Sequence, residues 1–274
     1  MPRLAAIYLK GSHAVVSRDL KSASYTMRPR SIIVSAAKRA LRRLGIRLER
    51  HALATSPELR LVRMLAWHGV DLVIDVGASS GGYGKELRAA GYNGRILSFE
   101  PLRSAHSALT RHAGSDRNWA VAPPMALGDR DGNSRLNVAG NSDSSSLLEM
   151  LDSHAAAAPD SRYVAAEDVV VARLDQFHHA FIEAAARPFL KVDTQGYEEH
   201  VLAGAAGLLP QLCGMQVEMS LEPLYERQLL WRDLMAMIEA SGFQLWSIVP
   251  GFFDQQSGRL LQCDGIFFRA GRNG

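Results

Sequence analysis

Two cysteines in 274 residues cannot build a disulfide framework, and neither Cys213 nor Cys263 stands in a metal-ligand spacing. A reducing cytoplasm is the expected compartment. No apolar run reaches the roughly 18–20 residues that a membrane-spanning helix needs. The N-terminal region lacks the apolar core, about 7–15 residues long, of a signal peptide. Internal repeats are also missing. Charge of one sign is not in large excess, since the formal net charge is only +3. What is there is ordinary for a globular protein: 47% of residues are hydrophobic, enough for one large core at this length.

The small net charge hides an asymmetry. Residues 1–50 hold twelve Lys or Arg against the two acids Asp19 and Glu49, a formal +10. Residues 51–274 must then carry −7 to leave the whole chain at +3. From Ser31 a helical pattern places Ile33, Ala37, Ala40, Leu41, Leu44 and Leu48 on one face, with Lys38, Arg39, Arg42, Arg43 and Arg47 largely elsewhere. Such a helix either packs on a domain with its basic face solvated or lies on an anionic membrane surface. The expected organisation is a basic extension over 1–54 and a single domain over 55–274. The second of these readings would give a peripheral membrane contact through residues 31–50. No nucleic-acid partner is expected, and oligomeric state is not written in the sequence.

After residue 55 helical and strand patterns alternate. Ser56 or Thr55 caps a helix running to Trp67, with Pro57 in its first turn. Strands follow at Leu72–Val76, Arg95–Phe99, Trp119–Val121, Arg135–Val138, Val169–Leu174, Phe189–Val192 and Met215–Met219. Helices are expected at Tyr83–Ala90, Leu102–His112, Leu174–Ala185, Tyr197–Ala206 and Leu229–Ala240. Gln244–Val249 and Gly265–Arg269 read as a terminal hairpin. This alternation means an α/β fold with a mainly parallel sheet covered by helices on both faces. Ligands of such sheets sit beyond the carboxyl ends of the strands.

At the first of those ends stands Asp75-Val-Gly-Ala-Ser-Ser-Gly81. Gly77 and Gly81 lack the β-carbon that would keep backbone away from a ligand, and the next helix starts with free N–H groups. The dinucleotide fingerprint G-x-G-x-x-G is broken, because Ser79 occupies its middle glycine. With no diphosphate to hold, the turn can face the amino-acid portion of a ligand. Glu100 ends the second strand, where a carboxylate can accept hydrogen bonds from both ribose hydroxyls. The combination points to S-adenosylmethionine. A nicotinamide-dependent oxidoreductase and a non-catalytic cofactor-binding protein are the alternatives.

Two blocks resemble the FkbM family of S-adenosylmethionine-dependent methyltransferases. One is Asp75–Gly81 with Gly91-Tyr-Asn-Gly-Arg-Ile-Leu-Ser-Phe-Glu-Pro101; the other is Leu190-Lys-Val-Asp-Thr-Gln-Gly-Tyr-Glu198 with Val201-Leu-Ala-Gly204. Ala126-Leu-Gly-Asp129, Arg173-Leu-Asp175, Glu218, Leu224-Tyr225 and Cys263-Asp-Gly-Ile-Phe-Phe268 add to it. The likeness spans roughly residues 70–270 and departs at Ser79, where the family usually has Asn. It implies a Rossmann-like class I methyltransferase sheet of seven strands, the last antiparallel. It also implies that Asp75, Gly77, Ala78, Ser79 and Gly81 line the methionine side of the cofactor. Glu100 with Pro101 would take the ribose, and Leu127 and Asp129 the adenine. The implied activity is methylation of a hydroxyl on a sugar, glycolipid or secondary metabolite.

An alcohol is a poor nucleophile, so a general base at a central strand end is worth about 10²–10⁴-fold. Asp193 fits that place best, with Glu198 and Glu218 as the other candidates. Each also has a structural use. Asp193 can orient the cofactor's ammonium, Glu198 can cap a helix, and Glu218 can support its neighbours. Three nearby acids could also hold Mg²⁺, but no spacing is diagnostic and no metal is expected. The polar loop Gly140–Ser146 is either a substrate contact or a plain connector.

Overall fold

The structure is a computed structural model and describes residues 52–270. The helix and the membrane contact expected within residues 31–50 lie outside the described residues.

Ser56 opens helix α1 (Pro57–Trp67): its hydroxyl accepts the Leu59 N–H at 3.1 Å, and Leu61 and Leu65 turn inward. Strand β1 (Leu72–Val76) is buried at all five positions, as a central parallel strand must be. Helix α2 (Gly82–Ala89), strand β2 (Arg95–Phe99), helix α3 (Arg103–Ala113) and strand β3 (Trp119–Val121) follow. Then come β4 (Ala126–Leu127), β5 (Gly132–Ala139), helix α4 (Asp152–Ala157) and β6 (Tyr163–Ala172). The chain continues through β7 (Pro188–Val192), helix α5 (Glu198–Ala203), β8 (Gly214–Ser220) and helix α6 (Trp231–Ala240). The hairpin β9 (Phe243–Pro250) and β10 (Gln262–Arg269) ends it.

Seven strands form the main sheet in the order β3-β2-β1-β7-β8-β10-β9. β10 is antiparallel to both its neighbours, and the other pairings are parallel. This is the expected Rossmann-like sheet with its last strand antiparallel. Strand order runs outward from β1 through β2 to β3, then resumes on the other side at β7. The switch point between β1 and β7 is where a crevice opens for a ligand.

Apolar residues fill both sides of the sheet. On one side Ile74, Leu97, Leu190, Met215 and Phe267 join Leu202, Leu234 and Ile238 from α5 and α6. On the other, Val73, Ile96, Phe189 and Phe268 meet Leu61, Leu65 and Leu87 from α1 and α2. On this second side a polar row lies two residues further along the strands. Ser98, Asp75, Lys191 and Gln216 are register partners on β2, β1, β7 and β8, and Ile266 on β10 continues the row.

Some local expectations change. Arg135–Val138 is the core of β5, but its partner was not foreseen. β4, β6 and β5 form a second, three-stranded sheet packed on α3 through Leu102, Ala105, Ala126, Leu136, Val169 and Val171. The strand expected at Val169–Leu174 is β6, which starts earlier and stops at Ala172. Leu174–Ala185 is not a plain α-helix. It is a 3₁₀ turn over Leu174–Phe177 followed by a π-turn over His178–Ile182. At its start the Asp175 carboxylate accepts the Gly207 and Leu208 N–H groups, both at 3.0 Å, which pins this segment to the end of α5's loop. No helix among the described residues is long and apolar enough to cross a membrane.

Candidate active site

The carboxyl ends of β1 and β7 touch at Gly77. Its φ is +77°, and a β-carbon there would lie 1.8 Å from the Asp193 carbonyl oxygen. Only glycine permits that approach. The N–H groups of Gly77 and Ala78 both donate to the Phe99 carbonyl, at 3.1 and 3.0 Å, which folds the turn back toward β2. Ser79, at φ +46°, then donates its N–H to Glu100 Oε2 at 2.8 Å. The other oxygen, Oε1, accepts the Leu102 N–H at 2.8 Å. A carboxylate has about four lone-pair sites, so two remain for a ligand. Burial raises the Glu100 carboxyl to about 7, against the pull of those two N–H groups.

Beneath this turn Lys191 carries a buried ammonium. It lies 3.5 Å from Asp75 Oδ1, 3.3 Å from Asp193 Oδ2 and 3.3 Å from the Gly77 carbonyl oxygen. The Tyr83 ring stands 5.3 Å away. Burial works against the ammonium, yet Asp193, Asp75 and Asp264 outweigh it and hold Lys191 above its usual range. Burial in turn raises the Asp75 carboxyl, which Lys191 and the Ser98 hydroxyl stabilise as an anion. The Ser98 hydroxyl donates to Asp75 Oδ2 at 3.2 Å and accepts the Trp119 indole N–H at 3.0 Å.

The segment after β7 is bent at Gln195 (φ +55°) and Gly196 (φ +97°). Glu198 holds the bend. Its Oε1 accepts the Thr194 N–H at 2.8 Å, the Thr194 hydroxyl at 3.2 Å and the Gly196 N–H at 3.1 Å. Burial lifts its carboxyl to about 7. The Gln195 amide donates to Asp193 Oδ1 at 2.8 Å and to Glu218 Oε2 at 2.9 Å, while the Tyr225 hydroxyl donates to Gln195 Oε1 at 2.9 Å. Gln262 also donates to Glu218 Oε2 at 2.8 Å. Burial, with Asp193 and Glu198 nearby, pushes the Glu218 carboxyl well up.

These ends surround a cavity of about 510 Å³. Of the predicted residues, Gly77, Ala78, Ser79, Glu100, Pro101, Leu127 and Asp193 line it. The structure does not bring the others to the wall. Asp75 is fully buried below it, paired with Lys191. Gly81 caps α2 and packs on Leu109 and Trp119. Asp129 pairs with His200 at 3.2 Å. Glu198 faces its own loop, and Glu218 faces Gln195 and Gln262. Among the described residues no three acidic, histidine or cysteine side chains are grouped to hold a metal. The polar loop is part of the wall through Ser142, Asp143, Ser145 and Ser146. It is tied down by Ser79 Oγ to Asp143 at 2.7 Å and by Ser146 Oγ to the Gln195 carbonyl at 2.7 Å.

Lys191, Gln195, Gln216, Tyr83 and Asp264 also line the cavity and were not picked from sequence. A signal existed for two of them. Lys191 and Asp264 are charges inside the apolar runs Phe189–Val192 and Cys263–Phe268.

The family model for the methyltransferase FkbM domain matches residues 75–245. The chain therefore belongs to the FkbM methyltransferase family, whose cofactor is S-adenosylmethionine. Comparison with curated proteins gave no match. Among solved structures, a TehB-like S-adenosylmethionine-dependent methyltransferase from Corynebacterium glutamicum is 13% identical, with 88% of this chain and 98% of that chain covered at a TM-score of 0.40. Magnesium protoporphyrin IX methyltransferase from Synechocystis PCC 6803, with the cofactor bound, is 11% identical, with 90% and 100% covered at 0.41.

The residues present suit that cofactor. The Gly77 turn leaves room for a ligand against backbone, and Glu100 keeps acceptor capacity for a pair of hydroxyls. Phe99, Pro101, Met125, Ala126, Leu127 and Leu136 provide an apolar slot next to it for a base.

Proposed function

We propose that this methyltransferase acts on oxygen, moving a methyl group to a hydroxyl of a sugar, glycolipid or secondary metabolite. The observation that carries this reading is the wall beside the cofactor turn. There Asp193, Thr194, Gln195, Gln216, Asp264 and Ser146 face one cavity together. Carboxylates, amides and hydroxyls of this kind hydrogen-bond a polyhydroxylated acceptor. When bound, the cofactor supplies a methyl carbon made electrophilic by its sulfonium. The chain's own contribution is alignment, which can remove roughly 7–11 kcal/mol of barrier.

Within this reading Gly77, Ala78 and Ser79 bound the methionine end, Glu100 accepts the ribose hydroxyls, and Pro101 and Leu127 flank the base. Asp193 orients. Its two oxygens are engaged by Lys191 and Gln195, so it presents a fixed acceptor surface beside the Gly77 turn. Asp75, Gly81 and Asp129 support these residues from behind.

Calorimetric titration with S-adenosylmethionine, its demethylated product and NAD comes first, and binding of the first two without NAD is expected. Labelled methyl transfer to a panel of neutral glycosides, amines and carboxylic acids then decides the atom. A base-stable methyl ether supports the reading. Methylation confined to amines, or a base-labile methyl ester, overturns it.

A further inference from the structure

We infer that Asp264 is the catalytic residue that takes the proton from the acceptor hydroxyl. This rests on the oxygen-methylation reading above. Asp264 is the third residue of the antiparallel strand β10, beside the carboxyl ends of the parallel strands. Its Cα partners are Glu218 on β8 and Val249 on β9. The side chain lines the cavity next to Tyr83, Gln216, Val249 and Ile266.

Six acids near the cofactor turn are already committed; of the other acids on the cavity wall, Glu58 takes the Ser56 hydroxyl and Glu86 is exposed on α2. Asp193 is engaged at both oxygens, Glu198 is closed into its own loop, Glu218 takes two amides, and Asp75 is sealed under Lys191. Glu100 is committed to the ribose, and Asp143 to the Ser79 hydroxyl. Asp264 forms no ion pair among the described residues, and Gln216 is the neighbouring side chain that helps hold it as an anion. The Tyr83 hydroxyl donates to Gln216 Oε1 at 3.0 Å, which fixes the Gln216 amide beside Asp264 on the cavity wall. The Asp264 carboxylate is therefore available to an acceptor in the cavity.

The charges facing Asp264 also suit a base. Burial, with Asp193 across the cavity, raises its carboxyl to about 6, while Lys191 and Gln216 hold it down. Tyr83 on α2, Glu218 on β8 and Cys263 on β10 are the other titratable groups that feel it. It is thus ionised at neutral pH and more basic than an ordinary aspartate. As the acceptor oxygen bonds the methyl carbon, the carbon–sulfur bond breaks and its electron pair stays on sulfur. The hydroxyl proton passes to the Asp264 carboxylate and then to water.

The test compares the wild type with Asp264→Asn and Asp264→Glu, using the glycoside that turns over fastest in the panel. Asp264→Asn is expected to lower kcat on the order of 10²–10⁴-fold. Binding of the demethylated cofactor should stay within threefold. In the wild type kcat should rise with pH through about 6; that limb should be absent from Asp264→Asn and return in Asp264→Glu. Carbon-13 titration of labelled aspartate carboxyls, which needs no acceptor, should show one signal titrating near that value and missing from Asp264→Asn. Turnover within threefold of wild type, an intact pH limb, or no such carboxyl signal would each overturn the assignment. If the wild type makes no methyl ether, the oxygen-methylation reading has failed instead.

Discussion

Ile74 and Asp75 are neighbours on β1, and their side chains enter opposite sides of the same sheet. Ile74 stands in register with Leu97, Leu190 and, beyond them, Met215 and Phe267, all buried and apolar. Asp75 stands in register with Ser98, Lys191 and Gln216. The first row is held by burial of area, which is non-directional and tolerant of exchange among similar shapes. The second row holds together only as a set. Taking an ion out of water costs several kcal/mol even after relaxation, about what a well-placed partner returns. A protein has no reason of stability alone to keep Lys191 between Asp75 and Asp193. The polar row lies directly under the cofactor turn, so its cost is tied to the site.

The largest test of that contrast is Lys191→Met. Removing one partner of a buried pair costs about 3–5 kcal/mol, and here two carboxylates lose their cation. The loss should depend on pH with a defined sign. Burial already raises the folded Asp75 carboxyl, and without the ammonium it rises further. A group raised on folding contributes stability that is full below its unfolded pKa and is lost as pH rises through the folded one. The difference between variant and wild type, read from urea unfolding, should therefore shrink on going from pH 7.5 to 5.5. The wild type must be measured alongside, because Glu100 and Glu198, both near 7, slope in the same direction. A deficit that does not change with pH would mean that Lys191 acts through packing alone.

Next is the seam between the ends of β1 and β7, at the turn proposed to hold the cofactor. Gly77→Ala puts a methyl against the Asp193 carbonyl, which is backbone and cannot step aside, and it does so at a φ of +77°. Overpacking of about 1–3 kcal/mol and left-handed backbone of about 1–2 kcal/mol act together. Thermal unfolding should show that combined loss, and cofactor affinity should fall as β1 and β7 are forced apart. Gly82→Ala is the control for the melt alone, since a β-carbon there meets no protein atom within 4 Å and φ is unexceptional, but Gly82 lines the cavity. A tolerated Gly77→Ala would show that the two strand ends do not need their close approach.

Glu100→Ala should weaken cofactor binding by about 1–3 kcal/mol, the cost of leaving hydroxyl donors unpaired. It also strands the Ser79 and Leu102 N–H groups, so the titration should be paired with a melt of the free protein. Unchanged affinity would give Glu100 a purely structural role.

These residues differ in how far the sequence exposes them. The Gly77 turn and Glu100 are local features: a buried run, a break, a helix and an acid at a strand end can be read in order along the chain. The sheet followed from the same alternation. The Lys191 network could not be read that way, because its members sit on β1, β7, β8 and β10 and meet only once strand order and register are set. Asp264 is the clearest case. It reaches the cavity because β10 inserts antiparallel between β8 and β9, which no local pattern states. Glu198 was legible as an acid in the right place but not as the staple of a bend with Gln195 in a left-handed conformation. The second sheet was missed because β6 alternates weakly, with exposed Val164 and Val170 in a strand of mixed polarity.

The smallest expected effect is on the apolar side. Ile74→Val removes one methylene from a fully buried site and should cost about 0.5–1.5 kcal/mol. No ionisable group on that row changes its surroundings, so the cost should be the same at pH 7.5 and 5.5, and cofactor affinity should match the wild type. The measurement is the same pair of unfolding curves used for Lys191→Met, with a cofactor titration added. If the Ile74→Val deficit changes with pH, or if affinity falls with it, the sheet transmits strain from one side to the other. The polar row would then be sensitive to packing across β1. If neither happens, the two sides are energetically separable although they share every backbone hydrogen bond between β1 and its neighbours. In that event the register of one polar residue per strand is sufficient to place the site.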